Sequence, residues 1–284
     1  MFQRILFLFA RRFVAGLTME EAVTAVRRLN QTGIQATLDV LGENVSEARD
    51  ADAARLSYLA TLDSIQSHRI QSNVSLKLTQ MGLDIGRDFC LANLASICER
   101  ARSYQNFVRI DMEGSGYTEK NLSLFETCFE RSGNAGIVLQ AYLHRTEKDL
   151  ERVISLGGRI RLCKGAYKEP PERALQTMPE IRRNFLRLTE ILLERGDYPA
   201  IATHDDYLIH RVKQMAAERG VPRDRFEFQM LYGIRPETQR RLAEEGYRMR
   251  VYVPYGTHWL PYFYRRLRER KENVLFVARN FFKR

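Results

Sequence analysis

The sequence has few of the features that identify disulfide-rich, redox-active or metal-binding proteins. Its 284 residues include only four cysteines, with no C-x-x-C pair and no spacing typical of metal ligands. Cys90 and Cys98 lie in a helix-like pattern and Cys163 in a strand-like one, among apolar neighbours. The cysteines are therefore predicted to be buried, reduced thiols of a cytosolic protein.

The chain also lacks a run of the roughly 20 apolar residues that a membrane-spanning helix needs. The run ILFLFA at residues 5–10 is too short, and Arg4, Arg11 and Arg12 flank it. Together with the following FVAGLTMEEAVTAV, it predicts an amphipathic helix rather than a signal peptide. Such a helix can pack on the domain or rest on a membrane surface, and packing is the simpler interpretation.

Common nucleotide motifs and domain linkers are missing as well. No P-loop is present and no G-x-G-x-x-G follows a strand-like segment, which argues against a Rossmann-bound dinucleotide. The net charge of +10 is spread along the chain without the aromatic and basic motifs of RNA-binding modules, so no nucleic-acid partner is expected. No linker divides the chain, which predicts an N-terminal helical segment over residues 1–30 and one catalytic domain over residues 31–284.

What the sequence does have is a regular rhythm of short β-branched runs and helix-length segments. The predicted strands cover residues 36–41, 74–78, 107–112, 137–142, 159–163, 200–203, 226–230 and 249–253. Several of the intervening segments begin with Ser, Thr or Asp and end with Gly, as helices do. Strands that alternate with helices indicate parallel βαβ units. Eight units in a chain of this length predict an α/β fold, a (β/α)8 TIM barrel, rather than an open sheet.

Polar side chains recur where these predicted strands end. They are Asp39, Lys77, Asp111 with Glu113, Gln140, Arg161 with Lys164, Thr203 with His204, Gln229, and Tyr252. Alternation along a strand places Ser75 and Lys77 on one face and Leu76 and Leu78 on the other. Because active sites of such barrels lie at the carboxyl ends of the strands, the polar set is expected to face the barrel mouth.

The last predicted helix, PYFYRRLRER at residues 261–270, carries two stripes. Tyr262, Arg265, Arg266 and Glu269 share one face, and the apolar set Leu260, Phe263, Tyr264 and Leu267 lies roughly 200° away. Folding of this helix over the mouth would bring both arginines to Lys77 and create a carboxylate site. The alternative is a solvated face on which Glu269 pairs with the arginines.

Two further clusters stand at strand ends. In RIRLCKGAYKEP, Arg161 and Lys164 precede Gly165 and Ala166, a loop that suits a phosphate or pyrophosphate. In ATHDD, His204 and Asp205 suggest a metal only in combination with Asp111 and Glu113. No second histidine stands at a strand end, so we expect no metal and favour a hydrogen-bonding pair of Thr203 and His204.

Eight segments in order resemble the motifs of one enzyme family. They are VSLKLTQMG, VRIDMEGSGYT, IVLQAYLHRT, RIRLCKGAYKEP, IATHD, FEFQMLYG, VYVPYGTHWLPYFYRRLRER and VARNFF. From GIQATLDVLGENV to its end the chain resembles the FAD-dependent proline dehydrogenases of the monofunctional bacterial type. That resemblance implies a distorted barrel with the last helix over its mouth. It also implies oxidation of L-proline to 1-pyrroline-5-carboxylate by hydride transfer to FAD, the first step of proline degradation to glutamate.

The resemblance also implies roles for individual residues. The substrate carboxylate would be held by Lys77, Arg265 and Arg266, with Tyr252 and Tyr262 around the ring and Glu269 orienting the arginines. Asp111 and Arg161 are the expected catalytic residues, the first fixing neighbouring cations and the second stabilising negative charge on the reduced flavin. The expected FAD contacts are Met112, Gln140, Arg161, Lys164, Gly165, Ala166, Thr203 and His204, with Gln229 supporting the pocket.

The implied partners are a quinone that takes the electrons and a separate pyrroline-5-carboxylate dehydrogenase that takes the product. The resemblance also implies delivery of electrons to quinone at a membrane, which would give the +10 charge and the segment RILFLFARR a use: peripheral contact of a cytoplasmic protein with anionic lipid at the inner face of the membrane. Two other enzyme classes fit the polar strand ends: a metal-dependent hydrolase or lyase, and a Schiff-base aldolase using Lys77 or Lys164. Flavin absorbance that bleaches with proline would distinguish them.

Overall fold

The computed structural model describes residues 2–269, with side chains described for residues 6–267. The helices are α1 Phe2–Ala10, α2 Met19–Asn30, α3 Ala48–His68, α4 Arg87–Ser103, α5 Thr118–Ser132, α6 Thr146–Ser155, α7 Met178–Arg195, α8 Asp206–Glu218, α9 Pro236–Glu244 and α10 Trp259–Glu269. The strands are β1 Gln35–Val40, β2 Ser72–Leu76, β3 Val108–Ile110, β4 Ala135–Gln140, β5 Arg159–Cys163, β6 Ala200–Ala202, β7 Glu227–Leu231 and β8 Arg248–Tyr255.

The eight strands form a closed parallel barrel in sequence order. β1 closes the ring by pairing with β8, where Leu38 lies opposite Val253. One of the helices α3 to α10 follows each strand, so the predicted (β/α)8 fold is confirmed. The predicted strand positions are confirmed as well, with ends that differ by a few residues. β3 and β6 are the shortest strands, with three residues each, and in β3 the chain leaves the ladder after Ile110.

Alternation along the strands separates an apolar outer layer from a polar interior. Leu76, Val108 and Ile110 are fully buried under the helices. The interior set includes Ser75 on β2 and Arg161 on β5, whose side chains are 3.3 Å apart at Oγ and Nη1. Since β2 and β5 are not neighbours in the sheet, this contact crosses the inside of the barrel. The predicted inward orientation is thus confirmed for Ser75 and Arg161.

The two N-terminal helices pack on the domain. A capping box formed by Thr18 and Glu21 begins α2, and the apolar face of α2 packs on β1 and β8. Helix α1 packs on α10, and the Phe7 and Trp259 rings lie 5.1 Å apart between centroids. This confirms packing of the N-terminal segment, although Leu8 remains 51% exposed. The division between residues 1–30 and 31–284 stays a prediction.

Three of the four cysteines are buried thiols, as predicted. Cys98 on α4 and Cys128 on α5 place their Sγ atoms 3.1 Å apart, and Cys90 is also fully buried. The prediction was wrong for Cys163, which ends β5 and is partly exposed because the chain leaves the sheet there. Within residues 2–269, no helix combines the length and the apolar character needed to cross a bilayer.

Candidate active site

Asp111 joins three strands at the carboxyl-terminal mouth of the barrel. Its carboxylate accepts hydrogen bonds from Ser75 Oγ at 2.7 Å, Arg161 Nη1 at 2.8 Å and Tyr252 OH at 2.8 Å. These partners come from β2, β5 and β8, and all four groups are buried or nearly so. A buried carboxylate with this many donors fixes the orientation of each of them. Asp111 therefore holds Arg161 in one position inside the mouth.

Arg161 keeps hydrogen-bonding capacity that the protein does not use. Its Nε and Nη2 atoms are buried and make no hydrogen bond within residues 6–267. The same holds for Oε1 of Gln140, which ends the neighbouring strand β4. An unpaired buried donor or acceptor costs about 1–3 kcal/mol, so such atoms are usually satisfied by a ligand or water. The mouth thus offers donors and an acceptor to a polar ligand.

Lys77 supplies a buried ammonium on the other side of the mouth. Its Nζ lies 3.4 Å from Oδ1 of Asp39, and the residue is 7% exposed. Burial acts to lower the pKa of Lys77, but the carboxylates of Asp39 and Asp111 outweigh it and hold that pKa above its ordinary value. Lys77 is therefore a permanent cation at neutral pH, which disfavours the nucleophilic amine that a Schiff-base aldolase needs.

The last helix lies across this side of the barrel. Lys77 on the β2 side and Tyr262 and Arg265 of α10 line one cavity of about 640 Å³. Arg265 Nη1 donates to Oε1 of Glu43 at 2.5 Å, which ties α10 to the loop after β1. The guanidinium of Arg266 is buried and lies 5.0 Å from the centre of the Tyr262 ring. The structure therefore places Lys77 and Arg265 on one cavity, and Arg266 contacts the Tyr262 ring that lines it.

The prediction that α10 carries its two stripes on opposite faces was wrong. Trp259, Tyr262, Phe263 and Arg266 are the buried residues, whereas Tyr264 is 48% exposed. The reason is that α10 lies between α1 and the mouth, so its buried face is centred between the two predicted stripes. The Glu269 side chain lies outside the described residues, and its predicted role stays a prediction.

The β5–α7 loop and the start of α8 form the third side of the mouth. Lys164 Nζ lies 3.2 Å from Oδ2 of Asp205, and Arg182 Nε lies 2.8 Å from the same oxygen. Burial opposes ionisation of Asp205, but Arg182 and Lys164 lower its pKa below the ordinary value. Asp205 also caps α8 through the backbone N–H of Tyr207. The carboxylate of Asp205 is thus occupied by contacts within the protein.

Gly165 follows Lys164 in a conformation that other residues rarely adopt. Its φ is +114°, and a Cβ at this position would lie 2.3 Å from the Tyr142 ring. Glycine is therefore required for the backbone to pass under this ring. Ala166 comes next and is exposed. The close approach that glycine permits here is thus to Tyr142, and close approach of a ligand to this loop stays a prediction.

His204 and Thr203 make structural hydrogen bonds at the end of β6. His204 Nε2 accepts from the backbone N–H of Leu231 at 2.9 Å, and Thr203 Oγ1 accepts from the N–H of Asp205 at 3.1 Å. Glu113 is held separately by Thr79. The four groups of the metal hypothesis thus have different partners, and no set of three metal-binding side chains occurs in the part of the chain that the structure describes.

The remaining predicted cofactor residues, Met112 and Gln229, lie on opposite sides of the barrel, after β3 and on β7. Met112 is buried after β3, with its Sδ 3.7 Å from Nδ2 of Asn121. Gln229 is buried on β7 and donates to Glu227. Glu43 is a site residue that sequence reasoning missed. Its signal was its position just after β1, where the chain enters the mouth.

Comparison with known proteins identifies relatives of the whole chain. The family model described as "Proline dehydrogenase" matches residues 22–279. The chain is 44% identical to proline dehydrogenase 1 of Bacillus subtilis (strain 168) over 275 residues, which cover 97% of this chain and 91% of that protein. It is 38% identical to the proline dehydrogenase of Deinococcus radiodurans over 279 residues, 96% of this chain and 90% of the relative.

A solved structure shares the fold. Proline utilization A (PutA) from Bdellovibrio bacteriovorus, inactivated by N-propargylglycine, superposes with a TM-score of 0.84 at 23% identity. The match covers 91% of this chain but 32% of that longer one. At this identity the likeness supports the barrel fold alone.

Proposed function

Because the chain belongs to the proline dehydrogenase family, we propose that it oxidises L-proline with FAD bound across the carboxyl-terminal mouth of its barrel. Proline oxidation, a step of proline catabolism, is the activity of its curated relatives and of this enzyme. The cofactor, the residue roles and the electron acceptor are our proposals. The observation that carries them is the set of unpaired polar atoms on Arg161 and Gln140.

The residues present fit a flavin. Its isoalloxazine ring carries both hydrogen-bond acceptors and an N–H donor, which match the free Nε and Nη2 of Arg161 and the free Oε1 of Gln140. Met112 would contribute an apolar contact to the flavin. Thr203 and His204 would line the other side of the flavin site. Lys164 with the backbone of Gly165 and Ala166 would hold the pyrophosphate, as the exposed, tightly turned loop allows. Gln229 would support the pocket.

The carboxylate is the one negatively charged group of proline. We assign that group to Lys77, Arg265 and Arg266, with Tyr252 and Tyr262 beside the ring. Two guanidinium groups and an ammonium match a carboxylate in charge and geometry. In the structure Glu43 already presents a carboxylate to Arg265, so bound proline has to replace or share that partner. Glu269 would orient the arginines.

The protein's share of the chemistry is orientation and electrostatics, since FAD supplies the hydride acceptor that no side chain provides. The carboxylate grip holds the substrate ring in one position. Asp111 fixes Arg161, which places a positive charge where negative charge develops during reduction. Burial of this group excludes water, which strengthens the interaction. Asp111 thus acts through Arg161 rather than by moving a proton.

The reduced enzyme must then pass its electrons on, and we propose a quinone as the acceptor. The cavity that contains Lys77 and Arg265 extends outward to Leu17 and Met19, an apolar entrance suited to such a molecule. The product would pass to a separate pyrroline-5-carboxylate dehydrogenase.

We further propose a cytoplasmic enzyme in peripheral contact with anionic lipid, because exposed Leu8 and Leu17 lie near Arg11 and Arg12. Co-sedimentation with liposomes tests this contact. We expect binding that increases with anionic lipid content and weakens with salt. Equal recovery with neutral and anionic liposomes would contradict it.

An absorption spectrum tests the cofactor directly. The purified protein should be yellow, with flavin bands that bleach when proline is added without oxygen and return when a soluble quinone follows. As a matched pair, Arg161→Met should weaken flavin retention, whereas Arg195→Met on the outer surface should not. A colourless protein that still oxidises proline would refute the FAD assignment.

A further inference from the structure

A second cavity, of about 340 Å³, lies at the opposite end of the barrel, where the strands begin. Arg109, Arg159 and Arg250 line it, together with Asn73, Tyr198 and Glu227. Arg109 stands on β3 two residues before Asp111, so the cavity lies one layer below the active site. The proposed proline oxidation uses none of these side chains.

The positive charges in this cavity exceed the negative ones. Glu227 is the one carboxylate in the lining, and both of its oxygens accept from Nε of Arg250, at 2.9 and 3.1 Å. Arg159 has an outside partner, Asp197, at 2.9 Å, and the side chains of this pair are 43% and 50% exposed. Glu227 and Asp197 thus offset two of the three guanidinium groups, which leaves one positive charge along the lining, that of Arg109.

Arg109 is the least compensated of the three arginines. It is 3% exposed, and its Nη1 donates to the carbonyl oxygens of Ile137 at 3.3 Å and Arg159 at 2.7 Å. Its Nε is buried and makes no hydrogen bond within the described side chains. Burial, with repulsion from Arg161 and Arg250, lowers the pKa of Arg109 well below its ordinary range. A buried cation without a carboxylate is costly, and an anion would remove that cost.

We propose that this cavity binds a small oxyanion, such as inorganic phosphate or a short dicarboxylate. Its charge would balance that of Arg109, and its oxygens would accept from the free Nε of Arg109 and from Arg159. The cavity volume admits a molecule of this size and excludes a nucleotide-sized one. Asn73 lines the same wall.

Thermal unfolding of the full-length enzyme with its cofactor tests this binding. The ligands are inorganic phosphate and malonate, with sodium chloride at matched ionic strength as the reference. A ligand that binds the folded state should raise the Tm along a saturating curve, by roughly 5–8 °C at a hundredfold excess over its Kd. Saturation with phosphate alone indicates a tetrahedral oxyanion, and saturation with malonate alone indicates a dicarboxylate. The same increase with chloride would refute the site.

Two variants at the cavity, with one matched control, make the test specific. Arg159→Gln should weaken the Kd at least tenfold, measured by isothermal titration, and leave the KM for proline unchanged. Arg195→Gln, which removes an equally exposed arginine from a surface ion pair with Glu151, should change neither. Asn73→Asp places a carboxylate in the cavity and should raise the Tm without ligand and abolish the response. Equal affinity in wild type and Arg159→Gln, or an unchanged response in Asn73→Asp, would overturn the proposal.

Discussion

Arginines occupy both ends of the barrel, but their partners differ. At the carboxyl-terminal end, Arg161 bonds the carboxylate of Asp111 and Arg265 bonds that of Glu43. At the amino-terminal end, Arg109 bonds carbonyl oxygens, and the single lining carboxylate belongs to Arg250. The same residue type is thus oriented by a carboxylate in one region and left with excess charge in the other.

This difference separates two uses of a buried cation. A guanidinium whose carboxylate partner holds one edge presents its other edge in a fixed direction, which suits the orientation of a substrate or cofactor. A guanidinium without such a partner makes the folded state less stable until an anion arrives. Under our two proposals, the carboxyl-terminal end of the barrel orients cofactor and substrate, and the amino-terminal end binds an anion.

Removal of the central carboxylate at the upper end should have the largest effect. Asp111→Ala leaves Arg161 buried without its counter-charge, so we expect a loss of about 3–5 kcal/mol in the free energy of unfolding. The matched change at the lower end, Asp197→Ala, breaks a half-exposed pair and should cost less than about 1 kcal/mol. Urea denaturation of both variants measures the contrast. Equal losses of unfolding free energy in the two variants would contradict the contrast between the two ends of the barrel.

Removal of the proposed carboxylate grip should affect substrate affinity rather than stability. Arg265→Met or Arg266→Met deletes a charged hydrogen bond worth about 1.5–3 kcal/mol, which corresponds to a KM for proline about 10- to 150-fold higher. Flavin content should not change. Arg159→Met at the lower end is the control and should alter the KM less than about twofold. Steady-state kinetics measures these KM values. Wild-type KM values in both α10 variants would contradict the assignment of Arg265 and Arg266 to the proline carboxylate.

Gly165→Ala should produce an intermediate effect at the proposed pyrophosphate loop. The left-handed backbone and the 2.3 Å approach to the Tyr142 ring force the loop to move, at a cost of about 1–3 kcal/mol. We expect a reduced ratio of FAD to protein after gel filtration. Gly133 on the outer surface also has a positive φ, but a Cβ there would meet no atom within 4 Å, so Gly133→Ala isolates the backbone strain. Identical flavin ratios in the two variants would contradict the loop assignment.

The smallest expected effect concerns pH. The affinity for a substrate analogue should stay constant over the pH range in which Lys77 keeps its proton. The pKa of Lys77 is raised, so the stability that its ammonium contributes is complete below its ordinary pKa and is lost only as the pH rises through the higher folded value. Tetrahydrofuran-2-carboxylate, which lacks the titrating ring nitrogen of proline, should bind with constant Kd between pH 7 and 9.5. Lys77→Met should weaken it equally throughout that range. A wild-type Kd that rises within the range would show that Lys77 loses its proton early.

The fold could be predicted from the sequence because each strand and helix has a local signature. All eight strands were found from β-branched runs, and period-two alternation placed Ser75 and Lys77 inside the barrel. The contacts of Asp111 could not be predicted, because its partners lie on β2, β5 and β8 and their distances depend on how the barrel closes.

Other details depended on tertiary packing as well. The face of α10 that is buried is set by α1, 250 residues earlier in the chain, and helix periodicity contains no information about that neighbour. Glu43 was missed for a similar reason, since a carboxylate in a loop looks solvated until α10 is placed beside it. The lower cavity was also invisible, because Arg109, Arg159 and Arg250 come from three separate strands.

The packing of α1 on α10 has a practical consequence for protein engineering. The Phe7 and Phe13 rings support Trp259 and Phe263, and Phe263 adjoins the residues assigned to proline. Phe7 and Phe13 therefore support α10, the helix to which we assign part of the substrate site. An affinity tag or truncation that disturbs α1 would act on α10 as well, and kinetic constants from such versions should be compared with those of a protein tagged elsewhere.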